Sequence, residues 1–240
     1  MTLVLLHGIG GAAWGPTLPA LAGHEVLDWP LPGYGGSPML AETSFPAWAA
    51  SLRDALDAAG VAQAVLLGHS IGGMLAQEFA LAFPARVRAL ILYATTPSFG
   101  GRDPSFAEAF LRERLAPLEA GQSMAELAAE SMPSLLGPEA PPEAAPAAIA
   151  ALAATPEAAY RATVRCLTSF NRREDTARIA APTLLVAGER DPLAPPRTME
   201  RMQQAIAGSR LVVLPRAGHL AHLEFPAAFN TAVAGFLRSL

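Results

Sequence analysis

The sequence predicts an α/β fold, a mostly parallel sheet of about six strands flanked by helices, with a helical lid inserted in it. Three observations predict this class. Short, continuous apolar runs alternate with longer helical stretches, which is typical of parallel strands covered on both faces. Roughly ninety residues between Tyr93 and Thr183 contain no convincing strand. A Gly-x-Ser-x-Gly pentapeptide joins one apolar run to the helical stretch after it.

Six apolar runs are the predicted strands: Thr2–Leu6, Glu25–Asp28, Ala64–Leu67, Ala89–Tyr93, Thr183–Ala187 and Arg210–Leu214. Four helical stretches separate most of them: Phe45–Ala59, Ile71–Phe83, Pro196–Ala207 and Pro226–Leu237. Strands that alternate with helices in this way favour a parallel sheet joined by right-handed crossovers. The length of 240 residues suits one such domain with an insertion and is short for two independent cores.

The strandless segment is predicted to be a helical lid over the edge of the sheet. We place the lid at residues 97–176 and the core at 1–96 and 177–240. Asp103, just before Pro104, suits a helix start because its carboxylate can cap free N–H groups. The stretch Pro138–Pro146 cannot continue a helix and is expected to act as a hinge or strut. The predicted lid helices are Asp103–Leu118, Ser123–Met132, Pro146–Ala154 and Glu157–Ser169.

Composition and charge exclude several classes of protein. The net charge is −4 and all 17 basic residues are arginines, scattered without a block, so no nucleic-acid partner is expected. No apolar run reaches the roughly 18 residues of a membrane span, and the start lacks the marks of a signal peptide. We therefore expect a soluble, cytoplasmic protein. The single cysteine, Cys166, excludes an internal disulfide and is expected to be a small buried hydrophobe.

The candidate nucleophile is Ser70, in the pentapeptide Gly68–Gly72 between a strand and a helix. A serine at the tip of so tight a turn is held in a strained conformation that lifts its hydroxyl clear of the sheet. The flanking glycines are required because a Cβ would collide with neighbouring backbone. The following helix directs the partial positive charge of its N-terminus towards Ser70.

A serine nucleophile needs a base, and the base needs an acid to hold it. His219 follows the last predicted strand, and Asp191 follows the strand before it, with Glu189 as the nearest rival for the acid. The order serine, aspartate, histidine, each after a separate strand, favours Ser70, Asp191 and His219 as a catalytic triad.

The other four histidines are given structural interpretations. His222 is expected at the surface near the last helix, and His24 is an isolated loop residue. His69 should point away from Ser70, because neighbours in a tight turn diverge. His7 is expected to hold its own loop by hydrogen bonding.

The glycine-rich loop His7–Gly11 after the first strand is a candidate oxyanion hole, since glycines let backbone approach a bound acyl oxygen closely. We assign its two N–H donors to Ile9 and Ile71. The loop lacks the G-x-G-x-x-G spacing and the lysine of a phosphate cradle.

These motifs together resemble the α/β-hydrolase superfamily over nearly the whole chain. The resemblance is strongest to lid-bearing bacterial esterases, to lactonases such as 3-oxoadipate enol-lactonases, and to C–C hydrolases of ring-fission products. Family members usually have two further strands before the oxyanion strand, whereas Met1 stands almost directly on that strand. The residues that carry the resemblance are His7-Gly8, Leu31–Ser37, Gly68–Gly72, Gly188–Asp191, Gly218-His219 and, on the enol-lactonase side, Cys166–Arg173 and Gly218–Pro226.

The resemblance implies two-step acyl transfer without a metal or cofactor, in a pocket between the carboxyl edge of the sheet and the lid. Arg161 and Arg165 lie four apart on one helical face and are either a solvated face or contacts for a substrate carboxylate. The residues expected to line the pocket are Trp14, Phe99, Phe106 and Met132.

Three function classes stay open. The first is hydrolysis of an ester or lactone of a small, mostly apolar carbonyl substrate. The second uses the same triad for C–C bond hydrolysis or cofactor-free perhydrolysis, and the third is small-molecule binding without turnover. Turnover of p-nitrophenyl esters separates the third class from the others, and activity on a ring-fission dienoic acid separates the second from the first. We expect a monomer or a homodimer.

Overall fold

A computed structural model describes residues 1–99 and 104–240. Six strands form one sheet: β1 (Thr2–Leu6), β2 (Glu25–Asp28), β3 (Ala64–His69), β4 (Val87–Tyr93), β5 (Thr183–Gly188) and β6 (Arg210–Leu214). Their order is β2-β1-β3-β4-β5-β6, and every neighbouring pair is parallel. The predicted six-stranded α/β fold is confirmed.

The strand bounds differ from the prediction at the edge that carries the site. β3 runs two residues further than predicted, because Gly68 and His69 pair with Leu92 and Tyr93 of β4. β5 likewise includes Gly188, which pairs with Leu214. A glycine has little strand propensity, so sequence patterning ends these strands early. The tertiary pairing extends them right up to the turns after β3 and β5.

Nine helices accompany the sheet in the described ranges: α1 (Phe45–Ala58), α2 (Ile71–Ala82), α3 (Pro104–Glu119), α4 (Met124–Ser131), α5 (Ala144–Ala153), α6 (Glu157–Leu167), α7 (Pro196–Ala205), α8 (Ala221–Glu224) and α9 (Pro226–Leu237). The one-turn helix α8 was not predicted, since four residues carry no periodicity. Short 3₁₀ turns lie at Leu18–Leu21, Pro84–Arg86, Met132–Leu135 and Thr176–Arg178.

The core consists of two apolar layers, one on each face of the sheet. Along β1, Val4 and Leu6 belong to the layer that α1, α2 and α7 cover. Leu3 and Leu5 belong to the opposite layer, where α9 packs. Both sets are fully buried, because every second side chain of a strand points to the opposite face. A strand covered on both sides must therefore be apolar throughout, as the sequence pattern indicated.

Helices α3–α6 lie between β4 and β5 in the chain and form a third apolar cluster of their own. Leu220 and Leu223, from the segment after β6, join this cluster and connect it to the sheet domain. The bounds 97 and 176 proposed for a lid stay a prediction. The predicted cap Asp103 lies outside the described residues.

The proline-rich stretch ends earlier than expected. α5 already begins at Ala144, so Pro146 lies within its first turn instead of in a hinge. A proline is tolerated there because the first N–H groups of a helix have no partner within the helix. Among the described residues, no helix is both long enough and apolar enough to span a membrane.

Candidate active site

Ser70 occupies the turn between β3 and α2 with φ 53° and ψ −117°, a conformation that side-chain-bearing residues rarely adopt. The turn is held by the end of β4. Ser70 N donates to the carbonyl of Tyr93 at 2.9 Å, and Ser70 O accepts from the hydroxyl of Thr95 at 2.7 Å. A strained residue fixed by its surroundings in this way is characteristic of functional sites.

The glycines of the pentapeptide are required by close backbone contacts. A Cβ on Gly68 would overlap with the carbonyl of Gly72, and a Cβ on Gly72 would overlap with the carbonyl of Leu6 in β1. The first contact lies inside the turn and the second lies between the turn and the neighbouring strand. The turn therefore depends on both glycines, as the sequence predicted.

His219, which follows β6, and Asp191, which follows β5, form a buried hydrogen-bonded pair. The distance from His219 Nδ1 to Asp191 Oδ2 is 2.8 Å. Because a carboxylate only accepts, Nδ1 carries the proton and Nε2 of the neutral ring is free to act as a base. Glu189, the rival acid, is exposed and accepts from Arg216 N at 2.8 Å.

The second oxygen of Asp191 is also occupied. Oδ1 accepts from the backbone N–H groups of Leu193 at 2.8 Å and Ala194 at 2.9 Å. Burial alone would raise the pKa of Asp191, but the adjacent His219 and these N–H donors outweigh burial, and the pKa is lowered. Asp191 is thus held in the charged form that orients the imidazole.

Two backbone amides near Ser70 have no acceptor within the part of the chain that the structure describes. Neither Ile9 N–H nor Ile71 N–H donates to a group of the described residues. Ile71 is the first residue of α2, where an N–H has no partner within the helix. The Ile9 loop is held by His7, whose Nε2 accepts from Leu31 N at 3.0 Å, and by Tyr34, whose hydroxyl donates to Ile9 O at 3.1 Å.

Comparison with known proteins identifies the family. The family model described as alpha/beta hydrolase fold matches residues 2–226. The chain belongs to the α/β-hydrolase family. A pimeloyl-[acyl-carrier protein] methyl ester esterase of Aeromonas hydrophila is 31% identical over 256 residues, covering 98% of this chain and 94% of its own.

Solved structures of this family overlie the α/β hydrolase closely. A thermophilic esterase from Thermogutta terrifontis has a TM-score of 0.90 at 26% identity and covers 100% of this chain and 90% of its own. The enol-lactonase from Burkholderia xenovorans LB400 has a TM-score of 0.88 at 24% identity, covers 99% of this chain and 91% of its own, and shows the shared fold alone.

In this α/β hydrolase, Ser70 and His219 line one cavity of about 550 Å³ together with Ile9. Three of the four predicted pocket residues, Phe99, Phe106 and Met132, also line it. The prediction for Trp14 is wrong. Its indole is buried in the core layer where α9 packs, beside the rings of His69 and His222 at centroid distances of 6.4 and 5.1 Å. Trp14 is not among the described residues that line the cavity.

His222 is not a surface residue either. It is buried, its ring lies against Trp14 and Tyr93, and its Nδ1 is 3.2 Å from the hydroxyl of Tyr93. Burial, and then the nearby His219, lower the pKa of His222 to about 3, so the ring is neutral. The prediction failed because Tyr93 and Trp14 are distant in sequence and give no local pattern.

The backbone of His219 is anchored on both sides. Its carbonyl accepts from His69 Nε2 at 3.0 Å and from the Tyr93 hydroxyl at 2.9 Å. Its N–H donates to the carbonyl of Leu135, in the segment after α4, at 2.8 Å. Sequence reasoning missed Tyr93, and its position at the end of the strand beside the nucleophile turn is the only signal that could have found it.

Glu224 is a second residue that sequence reasoning missed. This buried side chain accepts from Gly218 N at 2.9 Å and Leu220 N at 3.1 Å, the two residues that flank His219. It also accepts from Gly137 N, between α4 and α5, at 2.7 Å. Glu224 therefore fixes the His219 loop and connects it to the segment between β4 and β5.

The arginines considered for a substrate carboxylate lie elsewhere. Arg161 pairs with Glu157 at 2.7 Å, Arg165 is exposed, and neither lines the cavity. The lining includes Arg114 of α3 and Arg197 of α7 instead. Cys166 is buried, and burial raises the pKa of its thiol, as suits an unreactive core residue.

Proposed function

We propose that this chain is a serine hydrolase that cleaves a carboxylic ester or a lactone of a small, mostly apolar substrate. The observation that carries the proposal is the strained Ser70 on the same cavity as His219, whose ring Asp191 holds in the tautomer of a base. The name of the esterase relative agrees with this chemistry.

In the proposed reaction His219 Nε2 takes the proton of Ser70 as the hydroxyl oxygen attacks the substrate carbonyl. A tetrahedral oxyanion forms, and the amides of Ile9 and Ile71 stabilise it. As the C–O bond of the ester breaks, His219 gives the proton to the leaving alcohol. Water then attacks the acyl-enzyme with His219 again as base, which releases the acid and restores the Ser70 hydroxyl.

The two amides suit the oxyanion role because they are not used within the described part of the protein. A donor fixed in place before the reaction needs no reorganisation when charge develops, and losing one typically costs about 10²–10³ in turnover. Because Ile71 is the first residue of α2, its N–H lies at the positive end of the helix dipole, which also stabilises a negative charge.

We also propose that the segment 97–176 is the lid of the site and sets the substrate size. Phe106 and Phe110 of α3, Met132, and Leu152 of α5 all line the cavity. A cavity of this size and largely apolar lining fits a small substrate. The carbonyl centre would lie at the opposite wall, where Ser70 and His219 are.

The first experiment compares wild type with Ser70→Ala on p-nitrophenyl acetate and butyrate. We expect wild type to turn over and the variant to lose about 10⁴-fold or more. Ser98→Ala is the matched control, since Ser98 lines the same cavity outside the strained turn, and it should stay within about threefold.

The outcomes separate the three function classes. Equal activity of wild type and Ser70→Ala would show that Ser70 is not the nucleophile. Inertness on esters with turnover of a ring-fission dienoic acid would favour C–C hydrolysis. A p-nitrophenyl phosphonate distinguishes an enzyme from a binding protein. Attack by the Ser70 oxygen on phosphorus releases one equivalent of p-nitrophenol and leaves the phosphonyl group bonded to Ser70, so the protein gains the mass of the probe less that of p-nitrophenol. A binding protein leaves the probe intact.

A further inference from the structure

Among the described residues, the side chains that line the cavity include arginines and no carboxylate. Of the described residues that line it, Arg114 and Arg197 are the formally charged ones besides histidine, and none is an aspartate or glutamate. The protein as a whole has a net charge of −4. A cationic cavity in an acidic protein favours an anionic group on the ligand.

Arg114 is directed into the cavity by its position on α3. Phe106, Phe110 and Arg114 are four residues apart, so they share one helix face, and all three line the cavity. The guanidinium of Arg114 lies over the Phe110 ring at 5.3 Å from its centroid. This stacking limits the positions of the side chain without using its N–H donors.

In the part of the chain that the structure describes, two arginines in and after the inserted helices have acidic partners that Arg114 lacks. Arg161 pairs with Glu157 and Arg172 with Glu78, at 2.7 and 2.6 Å. In the described ranges no carboxylate lies within ion-pair distance of Arg114. A half-buried guanidinium with five donors and no acidic partner is available to a carboxylate of the ligand.

Tyr160 of α6 places a hydroxyl beside this guanidinium. Its side chain is 1% exposed and lines the same cavity. Burial raises the pKa of Tyr160, while the charge of Arg114 and a hydrogen bond with it act in the opposite direction. The phenol therefore stays protonated at neutral pH and can donate a hydrogen bond next to Arg114.

We propose that Arg114 and the Tyr160 hydroxyl bind a free carboxylate of the substrate. The proposal rests on the proposed function and narrows its substrate class to esters or lactones that carry a second, unesterified carboxyl group. The planar guanidinium matches a carboxylate with two parallel hydrogen bonds, and the phenol adds a third donor. The rings of Phe99, Phe106 and Phe110 supply an apolar wall for the methylene chain.

The test compares two substrates that differ in one charge. Mono-p-nitrophenyl adipate has a free carboxylate, and methyl p-nitrophenyl adipate has the same chain with that carboxylate masked. We expect wild type to prefer the monoester by about tenfold or more in kcat/KM. Arg114→Gln should lower kcat/KM for the monoester by about 10- to 100-fold, mainly through KM, and leave the diester within about twofold.

Two further variants control this comparison. Arg112→Gln removes an exposed arginine of the same helix that does not line the cavity, and it should change neither substrate. Arg114→Lys keeps the charge and loses the planar fork, so it should recover part of the preference. Equal losses on both esters in Arg114→Gln would mean that Arg114 only packs the helix, which would overturn the proposal.

Failure of the inference and failure of the proposed function give different results. If the diester is hydrolysed through Ser70 but the monoester is not preferred, the inference is wrong and the serine mechanism stands. If wild type cleaves neither ester, the carboxylate site is still tested by binding. Adipate should then raise the Tm of wild type and not of folded Arg114→Gln, and no shift in wild type would overturn the inference.

Discussion

The two walls of the cavity are held in different ways. On the sheet wall, made of the loops after β1, β3, β5 and β6, the working groups are fixed by hydrogen bonds. Ser70 is held through its N–H and carbonyl, and His219 through its N–H, carbonyl and Nδ1. On the helix wall, made of the lining side chains of α3–α6, the aromatic groups touch by ring contacts, and Phe106 is 52% exposed.

This difference assigns different tasks to the walls. Hydrogen-bonded backbone positions are reproducible to a fraction of an ångström, which bond-making chemistry requires. Side chains packed by apolar contact tolerate exchange at a smaller energetic cost. Substitutions on the sheet wall should therefore abolish turnover or folding, and substitutions on the helix wall should change which substrate is preferred.

The largest expected effect on the sheet wall is that of Asp191→Asn. The amide keeps the shape but can donate to His219 Nδ1, which favours the tautomer with the proton on the wrong nitrogen. Turnover of p-nitrophenyl butyrate should fall by about 10⁴-fold. Glu189→Gln, two residues away, is the matched control and should stay within about twofold. If Asp191→Asn keeps more than a tenth of the wild-type activity, the expectation that substitutions on the sheet wall abolish turnover is wrong.

A smaller effect is expected where the walls meet, in Glu224→Gln. The amide nitrogen would face backbone donors of Gly218 or Gly137 and leave them unpaired, at about 1–3 kcal/mol for each. Urea unfolding should show a loss of about 3 kcal/mol. Glu139→Gln, which breaks only the exposed pair with Arg216, should lose less than about 1 kcal/mol. Equal losses in both variants would argue against Glu224 as the connection.

The smallest effect concerns pH. The buried histidines His7, His69, His219 and His222 belong to the sheet domain, and the sequence of α3–α6 contains no histidine. Because burial lowers the pKa of His222 from 6.5 to about 3, only the unfolded chain binds this proton between those values. Stability is therefore complete above about pH 6.5 and falls as the pH drops towards 3, by about 2 kcal/mol at pH 5 from His222 alone.

Urea unfolding at pH 7.5 and pH 5 measures this dependence. His222→Asn, whose amide can still donate to Tyr93, should reduce the difference between the two pH values by about 2 kcal/mol. Asp191 does not contribute to the difference in stability between pH 7.5 and pH 5, since its pKa is held below the ordinary 3.8 and it stays ionised at both pH values. His24→Asn is the control from a loop outside the site. An unchanged pH dependence in His222→Asn would show that this ring is not the source.

The sequence alone was sufficient for the architecture. The six strands, the helices between them and the strandless segment follow from apolar runs and periodicity, which are local properties of a chain covered on both sheet faces. The turn at Ser70 was also predictable, because Gly68 and Gly72 are needed within two residues of it. The structure brings His219 to Asp191, the pair that their places after successive strands had indicated.

Only the tertiary structure placed the groups that support and surround the site. Tyr93 and His222 are 129 residues apart, and Gly137 and Glu224 are 87 apart, so no pattern along the chain connects them. Their roles arise because buried polar groups must find partners wherever folding brings them. Trp14 and His222 were misplaced for the same reason. Arg114 could be singled out only from the structure, because the sequence does not show which arginine side chains line the cavity.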